Sequence, residues 1–297
     1  MNVLSLFNGM GCGWLALDDA GIKVDKRFSS EIDKPANEVN DYNYPDTIQL
    51  GDIQNIHYTN LGLEVDLSYS KTQCYSGEID LIIGGSPCQG FSLQGKQQRF
   101  NDERSKLFFE YLRILKEVMA INPKVLFLLE NVKMGEESQN VISKLLKRRP
   151  IKFNSSLVSA QNRNRLYWTN IPVNSMPKDK GILLKDILQD NVDEQYFLKE
   201  GRLKWLLGDS GKRSLTKRYC GIDLDKAVCI TRRAEASWNC NYVTDSGRIR
   251  TLTPIEYERL QNVPDDYTKC VSNKHRYEML GNGWTVGIIS HIFKHIK

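Results

Sequence analysis

The sequence predicts an α/β fold whose centre is a doubly wound, mostly parallel sheet. Two observations in the first half of the chain predict it. The apolar runs IDLIIGG (79–85) and KVLFLLENV (124–132) have the unbroken character of strands buried on both faces of a parallel sheet. The stretch 104–119 between them repeats its apolar residues at helical spacing. Such alternation of buried strands with amphipathic helices is typical of a doubly wound sheet.

The other elements of this half follow the same alternation. They are a strand over 3–7, a helix over 14–20, a strand over 22–31, a turn at 50–54 and a helix over 137–149. Gly21 directly follows the first of these helices and Pro150 the second, and both residue types commonly mark helix ends. The first half is therefore predicted to be a succession of strand and helix units.

The second half divides into an irregular part and an ordered end. Residues 170–250 are polar and basic with little periodicity, and order returns at RTLTPIEYERLQ. There Thr253 and Glu256 predict a capping box with Pro254 at the first helical position, and a last helix is predicted over 285–296. The predicted boundaries are a first domain over 1–169, an inserted region over 170–250, and a segment over 251–297 that returns to the first domain.

Composition excludes several classes of protein. Hydrophobic residues make up 40% of the chain, and no apolar run reaches the roughly 18 residues of a membrane span. The start lacks the basic region of a secretory signal. Seven cysteines without a CxxC pair argue against a disulfide framework and against a thiolate metal site. His291 and His295 lie one helical turn apart, but on the face opposite the apolar residues, so we expect a solvated pair and no metal.

The charge of the chain is unevenly distributed. The formal net charge is +5 at pH 7, and residues 199–218 contain seven Lys or Arg against two acidic residues. A basic patch of this kind suits a polyanionic partner such as nucleic acid. A solvated loop explains the same charges equally well, so the patch alone leaves both interpretations open.

A glycine-rich loop and two acidic residues indicate a nucleotide-like ligand. Gly9, Gly11 and Gly13 lie between the first strand and its helix, where glycines allow a ligand to approach the backbone closely. Glu31 ends the second predicted strand, where a carboxylate can bind ribose hydroxyls, and Asp52 follows a third strand. Nicotinamide enzymes and methyltransferases share this arrangement. The GxGxG spacing lacks the third glycine of the dinucleotide fingerprint, which favours a mononucleoside cofactor.

Three predicted strand ends carry reactive side chains. They are Pro87, Cys88 and Gln89 after the 79–85 run, Glu130 after 124–129, and Gln161, Arg163 and Arg165, which alternate onto one face of a third strand. Ligands of an open parallel sheet bind at this edge. The four histidines lie far away in sequence, so a Cys-His dyad has little support. Arginine charge can lower the pKa of a cysteine below its free value of about 8.5, and such a thiolate suits attack on an electron-poor ring.

In the order of its motifs, the chain resembles the DNA cytosine-5 methyltransferases over essentially its full length. The matching motifs, in order, are LFNGMGCG, Glu31, GDI, GGSPCQGFS, LFFEYLRIL, ENV, QNRNR, RTLTPIEYERLQNVPDDYT and GNGWTVG. GIKVD, GGSPC, LFFE and the closing SNKHRYEMLGNGWTVGIISHIF look closest to the catalytic domain of the animal de novo enzymes, whereas RTLTPIEYERLQ and QNRNR look bacterial or phage-like. The resemblance implies a Rossmann-like methyltransferase sheet with a small target-recognition region at 170–250.

The resemblance also implies roles for individual residues. The cofactor would be S-adenosyl-methionine, with S-adenosyl-homocysteine as product, bound by Phe7, Asn8, Gly9, Met10, Gly11, Cys12, Glu31, Asp52, Ile53, Leu107, Asn282, Gly283 and Trp284. The substrate would be a cytosine flipped out of double-stranded DNA. The implied catalytic residues are Cys88 attacking carbon 6, Glu130 at N3, and Arg163 and Arg165 on the base carbonyl and phosphate. The implied DNA contacts are Pro87, Gln89, Arg232 and Arg233, with Arg233 favoured for base recognition.

Three other functions each fit part of the sequence. A tRNA cytosine-5 methyltransferase shares PCQ and ENV, but its CFT tripeptide does not occur in this chain. A nicotinamide oxidoreductase leaves PCQ, ENV and QNRNR unexplained, and a catalytically silent DNA-binding module would not need every catalytic position intact. We expect a cytoplasmic monomer of a bacterial or phage-infected cell. Its role would be restriction–modification, phage protection or epigenetic marking, at a DNA sequence that the chain does not reveal.

Overall fold

A computed structural model describes residues 1–67, 71–86, 103–217, 219–233 and 239–297. The chain forms two compact units. The first contains Met1–Phe153, Asn164–Ser175 and Ile292–Lys297, and the second contains Asn154–Arg163 and Met176–His291. The functional boundaries predicted at residues 169 and 250 stay a prediction. No helix in the described part of the chain is both long enough and apolar enough to cross a membrane.

The helices and strands are short and alternate closely. The helices are α1 (Cys12–Asp19), α2 (Lys34–Asn43), α3 (Glu103–Ile121), α4 (Glu136–Leu146), α5 (Glu200–Leu207), α6 (Asp209–Thr216), α7 (Pro254–Leu260), α8 (Asn273–Asn282) and α9 (Val286–Phe293). The strands are β1 (Asn2–Leu6), β2 (Lys26–Ser30), β3 (Ile48–Gln49), β4 (Ile56–Thr59), β5 (Gly62–Leu67), β6 (Lys71–Tyr75), β7 (Leu81–Gly84), β8 (Leu126–Val132), β9 (Ile151–Asn154), β10 (Gln161–Asn162), β11 (Asn164–Thr169), β12 (Gly221–Ile222), β13 (Ala227–Val228), β14 (Asn241–Asp245) and β15 (Arg248–Thr251).

The main sheet has the predicted doubly wound, mostly parallel form. Its seven strands follow the order β3-β2-β1-β7-β8-β11-β9, in which β1, β2, β3, β7 and β8 pair in parallel and β11 runs antiparallel to β8. The order reverses between β1 and β7, and ligands of such sheets bind beyond the strand ends at this switch point. The second strand begins only at Lys26, four residues later than predicted, because the chain between Gly21 and Lys26 is not paired as a strand.

Close packing beneath the switch point requires glycine at the end of β7. A Cβ atom on Gly84 would lie 2.9 Å from the Leu6 carbonyl oxygen and 3.0 Å from the Tyr111 ring. Tyr111 is fully buried in α3, and its hydroxyl donates to the Leu128 carbonyl at 3.2 Å. The backbone after β7 is therefore set against β1 and α3, which fixes where the chain leaves the sheet.

We did not predict the three-stranded antiparallel sheet that follows β3 and precedes β7 in the chain. Its order is β4-β5-β6, and Ile56, Tyr58, Leu63 and Val65 are its buried residues. These apolar residues alternate at a spacing of two, which is the pattern of a strand buried on one face. The signal is present in the sequence, but each strand is only a few residues long and is easily overlooked.

The second unit contains more regular structure than the sequence predicts for 170–250. Helices α5 and α6 accompany the three-stranded sheet β12-β14-β15, and an apolar cluster is formed by Leu206, Cys220, Cys240 and Tyr242. Short elements of this kind give too few turns or alternations for periodicity to reveal them.

The predicted capping box at the start of α7 is confirmed. The Glu256 backbone N–H donates to Thr253 Oγ1 at 3.2 Å, and the Thr253 N–H donates to Glu256 Oε2 at 2.8 Å. The Glu256 carboxylate also pairs with both terminal nitrogens of Arg250, at 2.8 and 2.9 Å, and both side chains are buried. The last helix ends at Phe293, three residues before the predicted end.

Candidate active site

The predicted cofactor and catalytic segments leave the sheet at one edge. One register row crosses four parallel strands and contains Ser30, Leu6, Gly84 and Leu129. The residues that follow this row include Glu31 after β2, Phe7 after β1 and Glu130, which lies two residues before the end of β8. Phe7 and Glu130 are thus two strand spacings apart, or about 10 Å. A bound cofactor and a reacting base can meet at this edge.

The loop after β1 has a backbone that favours glycine. Gly9 has a φ of 57° and Gly11 a φ of 86°, both in the left-handed region, and Gly11 is the N-cap of α1. Phe7 also has a positive φ, 57°, which is uncommon for an aromatic residue and typical of functional loops. Because glycine reaches this region without steric cost, the loop can turn tightly between strand and helix.

Glu31 holds this loop against the end of β2. Its Oε2 accepts the Gly9 backbone N–H at 2.8 Å, and its Oε1 accepts the N–H groups of Ile32 at 2.8 Å and Asp33 at 2.9 Å. A carboxylate offers about four acceptor positions, so these three bonds leave capacity for one further donor. A ribose hydroxyl is a donor of the required kind.

Asn8 provides a second, unused acceptor in the same loop. Its side chain is buried, its Nδ2 donates to Asn40 Oδ1 at 2.9 Å, and Trp14 Nε1 donates to the same oxygen at 3.0 Å. The Asn8 Oδ1 atom is buried without a hydrogen-bond partner among the described residues. Buried acceptors normally have partners, so this atom fits a ligand donor such as an ammonium or hydroxyl group. Sequence analysis missed Asn40, which no local motif marks.

The remaining predicted cofactor residues of the first unit differ in exposure. Asp52 is partly exposed, and its Oδ1 accepts the Gln54 N–H at 3.0 Å at the start of a short 3-10 helix. Ile53 is buried in the core, and Leu107 on α3 packs against the same core. Asp52 therefore presents a carboxylate on a fixed turn, with Ile53 anchoring the turn beneath it.

We expect Glu31→Gln to weaken cofactor binding. The amide has only one acceptor oxygen, so it cannot serve the Gly9 loop, the following turn and a ribose hydroxyl together. A hydrogen bond to a charged group contributes about 1.5–3 kcal/mol, which corresponds to a rise of about 10–150-fold in Kd. Calorimetry with S-adenosyl-homocysteine measures this Kd. Glu38→Gln, at an exposed position of α2, removes the same charge and should bind as the unaltered protein does.

Glu130 and Arg165 form an ion pair at the end of β8. The Arg165 Nε donates to Glu130 Oε1 at 3.0 Å, and the two side chains are 14% and 12% exposed. Antiparallel pairing sets Tyr167 opposite Glu130 and Arg165 opposite Val132, so Glu130 and Arg165 are diagonal neighbours on one face. The arginine thus orients a largely buried carboxylate at the edge that also carries the glycine loop.

The segment that leads to the predicted nucleophile is held from β8. Pro87, Cys88 and Gln89 lie outside the described residues, and Ser86 is the last described residue before them. Ser86 is buried, and both its carbonyl oxygen and its hydroxyl accept from Asn131 Nδ2 at 3.3 Å. The neighbour of Glu130 therefore anchors the chain two residues before Cys88.

Burial disfavours other cysteines as nucleophiles. Burial raises the pKa of the Cys240 thiol to about 12 and also raises that of Cys220. Both are buried in the core of the second unit, where a thiol stays protonated at neutral pH.

The prediction that Gln161, Arg163 and Arg165 share one strand face is wrong. Gln161 belongs to β10, which pairs with β13, whereas Arg165 belongs to β11 of the main sheet. Arg163 lies between the two strands and is 3% exposed. Its terminal nitrogens donate to backbone carbonyls of the second unit, at Ile230, Gly281 and Gly283. Arg165 instead pairs with Glu130, so the three side chains do not share one set of neighbours.

Comparison with known proteins decides the family. The profile of the C-5 cytosine-specific DNA methylases matches residues 1–220 and 136–297, which together cover the chain. The chain belongs to the C-5 cytosine-specific DNA methylase family. The methylase is 27% identical to Type II methyltransferase M.HhaI of Haemophilus parahaemolyticus, over 98% of this chain and 93% of that protein. It is 29% identical to Type II methyltransferase M1.ScrFI of Lactococcus lactis subsp. cremoris, over 97% of this chain and 75% of that protein.

The fold of the methylase also occurs in solved structures. The Entamoeba histolytica methyltransferase EhMeth superposes with a TM-score of 0.75 at 16% identity, over 99% of this chain and 97% of that one. At this identity the likeness shows the fold alone. The predicted α/β methyltransferase fold and the resemblance to DNA cytosine-5 methyltransferases are thus confirmed.

The second unit of the methylase carries the residues predicted to contact DNA. Arg233 is exposed, and Arg232 is exposed with its guanidinium 3.7 Å from the Glu278 carboxylate. Of the predicted cofactor residues in this unit, Asn282 is the last residue of α8, and Gly283 and Trp284 follow it. Within the described ranges, no group of three or more His, Cys, Asp or Glu side chains is arranged to hold a metal.

Proposed function

We propose that this methylase transfers a methyl group from S-adenosyl-methionine to carbon 5 of a cytosine in double-stranded DNA. The observation that carries the proposal is the Glu130–Arg165 pair, one strand away from the exit of the Pro-Cys segment and at the same sheet edge as the glycine loop. An oriented acid, an arginine and a cysteine-bearing loop form a set that suits attack on a pyrimidine ring.

The described residues fit the proposed cofactor. Asn8 Oδ1 and the remaining acceptor position of Glu31 suit its ammonium and ribose hydroxyls, and Asp52 suits the adenine amino group. From the resemblance, Phe7 would pack on the adenine and the segment Asn282–Trp284 would complete the site, with Gly9, Met10, Gly11, Cys12, Ile53 and Leu107 as further contacts. The cofactor supplies a methyl group on a positively charged sulfur.

Cys88 would start the reaction as a thiolate. It forms a bond to carbon 6 of the cytosine, which breaks the ring's aromaticity and makes carbon 5 nucleophilic. Glu130 offsets the electron density that moves onto the ring by donating a hydrogen bond or proton at N3, and Arg165 binds the base carbonyl. After carbon 5 has accepted the methyl group and S-adenosyl-homocysteine is left as product, loss of the carbon 5 proton and of the Cys88 thiolate restores the ring, and a proton transferred to N3 returns to Glu130.

The reaction requires the cytosine to leave the duplex. A stacked base exposes neither face of its ring to Cys88, so the target must flip out, at a cost of a few kcal/mol. Phosphate contacts can offset that cost, and α6 exposes Lys212, Arg213 and, at its end, Lys217. Pro87 and Gln89 would flank the flipped base.

Arg233 would read a base in the major groove, where arginine recognises guanine by two hydrogen bonds. We expect Arg233→Ala to relax the sequence preference at one position by about 1–3 kcal/mol, or about 5–150-fold. Sequencing of methylated cytosines on a random DNA library measures the preference. Lys23→Ala removes a positive charge that is 91% exposed before β2, at the opposite edge of the sheet, and should keep the preference. An unchanged preference in Arg233→Ala would exclude this residue from recognition.

The proposed function is tested by labelled methyl transfer to duplex DNA and to tRNA, followed by sequencing of methylated cytosines. We expect transfer to duplex DNA only. Transfer to tRNA alone would support the tRNA alternative, and stabilisation against heat by NAD but not by S-adenosyl-homocysteine would support an oxidoreductase. Expression in a bacterium and mapping of its methylated cytosines would also give the DNA sequence that the chain recognises.

A further inference from the structure

Arg163 bridges two segments of the second unit with one guanidinium group. One terminal nitrogen, Nη1, donates to the Ile230 carbonyl at 2.8 Å and lies 3.5 Å from Cys229 Sγ. The other, Nη2, donates to the carbonyls of Gly283 at 2.8 Å and Gly281 at 3.2 Å. We call residues 229–233 the recognition segment and residues 281–285 the C-terminal segment. The bridge is buried, since Arg163 is 3% exposed.

The two segments also touch directly at Gly281. A Cβ atom on this glycine would lie 2.1 Å from the carbonyl carbon of Thr231 and 2.5 Å from the backbone nitrogen of Arg232. Both are backbone atoms, which cannot move aside as a flexible side chain can. The backbone of the recognition segment therefore rests on the C-terminal segment with no room for a side chain between them.

Thr231 extends this contact to the residues that would read DNA. Its Oγ1 accepts from Asn239 Nδ2 at 2.7 Å and from the Arg233 backbone N–H at 3.3 Å. The hydroxyl therefore ties residue 239 to the recognition segment. A shift of Gly281 is passed through Thr231 to the backbone of Arg232 and Arg233.

The C-terminal segment is itself held firmly on its other side. Gln261 Nε2 donates to the carbonyls of Leu280 at 2.7 Å and Gly283 at 3.1 Å, and Thr285 Oγ1 donates to Gln261 Oε1 at 2.8 Å. Arg163 thus joins the recognition segment to a braced segment, so the two can be expected to move as one body.

We infer that Arg163 is a positioning residue that couples cofactor binding to DNA recognition. The inference rests on the proposed function, which assigns Asn282–Trp284 to the cofactor and Arg233 to DNA. Cofactor that shifts the C-terminal segment also shifts the recognition segment through Arg163 and Gly281. Each ligand then raises the affinity for the other by the same factor, as linkage requires.

The test measures that factor with S-adenosyl-homocysteine and a duplex that carries the mapped target cytosine. Fluorescence anisotropy gives the Kd of the duplex without and with saturating S-adenosyl-homocysteine, and calorimetry gives the reciprocal measurement. We expect the wild-type chain to bind DNA at least about fivefold more tightly with S-adenosyl-homocysteine. Arg163→Lys should reduce the factor to nearly one, because a single ammonium cannot span both sets of carbonyls as a planar guanidinium does.

Two further variants separate coupling from stability. Gly281→Ala pushes the recognition segment away from the C-terminal segment and should also bring the factor close to one. It keeps the inference testable if Arg163→Lys does not fold. Arg259→Lys makes the same change at a guanidinium whose partners, the Ile187 and Leu188 carbonyls and the Asp265 carboxylate, lie outside both segments, and it should keep the wild-type factor. Thermal melting checks that each variant is folded.

Three results would overturn the inference. S-adenosyl-homocysteine could leave the DNA affinity of the wild-type chain unchanged, or a folded Arg163→Lys or Gly281→Ala variant could keep the full increase in DNA affinity. Arg259→Lys could also lose that increase to the same extent. This test measures binding and not methyl transfer. The proposed function would fail separately, if a chain that binds both DNA and S-adenosyl-homocysteine transferred no methyl group.

Discussion

Cys88→Ala is expected to abolish methyl transfer to DNA. Alanine has no group that can bond carbon 6 of cytosine, so carbon 5 never becomes a nucleophile. Removal of a covalent nucleophile typically lowers turnover by about 10⁴-fold or more. A filter assay with labelled S-adenosyl-methionine measures the loss. Binding of S-adenosyl-homocysteine should be unchanged, because no predicted cofactor contact involves residue 88.

A trapped intermediate makes the same prediction specific to Cys88. A duplex with 5-fluorocytosine at the target carries fluorine where a proton must leave after methyl transfer, so elimination is blocked and the protein stays bonded to carbon 6. The wild-type chain should shift to a DNA-bound band on a denaturing gel, and Cys88→Ala should not. Cys74→Ala, at an exposed free thiol, is the control and should form the adduct normally. Absence of the adduct from wild-type protein with cofactor present would contradict the nucleophile assignment.

The parallel core of the sheet could be predicted because burial alone determines its sequence. β7 and the first four residues of β8 are apolar without interruption because they are enclosed by the sheet and its helices, and the pattern is visible without knowledge of the partners. β12 and β13 have two residues each. A segment of that length has no period, and only its pairing partner defines it as a strand.

The candidate site could be predicted where one residue type at one strand end carries the signal, as with Glu31 and Glu130. Other contacts of the site join residues that are far apart in sequence. Asn8 meets Asn40, and Ser86 meets Asn131, and neither pair has a spacing that a motif could reveal. Arg163 illustrates the converse. Its motif suggested substrate contact, whereas its side chain is buried and donates to backbone carbonyls of the second unit.

Glu130→Gln is expected to lower the rate of methyl transfer by about 10²–10⁴-fold, the range for loss of a general acid. The amide has nearly the shape of the carboxyl group. Its oxygen can still accept from Arg165 Nε, so the 3.0 Å contact that orients residue 130 can persist. Its NH₂ group can still donate a hydrogen bond to N3 but cannot transfer a proton. The substitution therefore separates binding of the ring from stabilisation of the charge that develops on it.

The measurement that isolates this effect is a single-turnover rate with duplex DNA at saturating S-adenosyl-methionine. Affinities for S-adenosyl-homocysteine and DNA should stay within about threefold of wild type, because the lost interaction forms only as Cys88 adds to the ring. The 5-fluorocytosine adduct should form more slowly but still reach completion. Glu136→Gln removes the same charge at an exposed position of α4 and should leave the rate unchanged. A Glu130→Gln rate close to wild type would mean that proton donation at N3 does not limit the reaction, and that Glu130 acts only by orienting Arg165 toward the base.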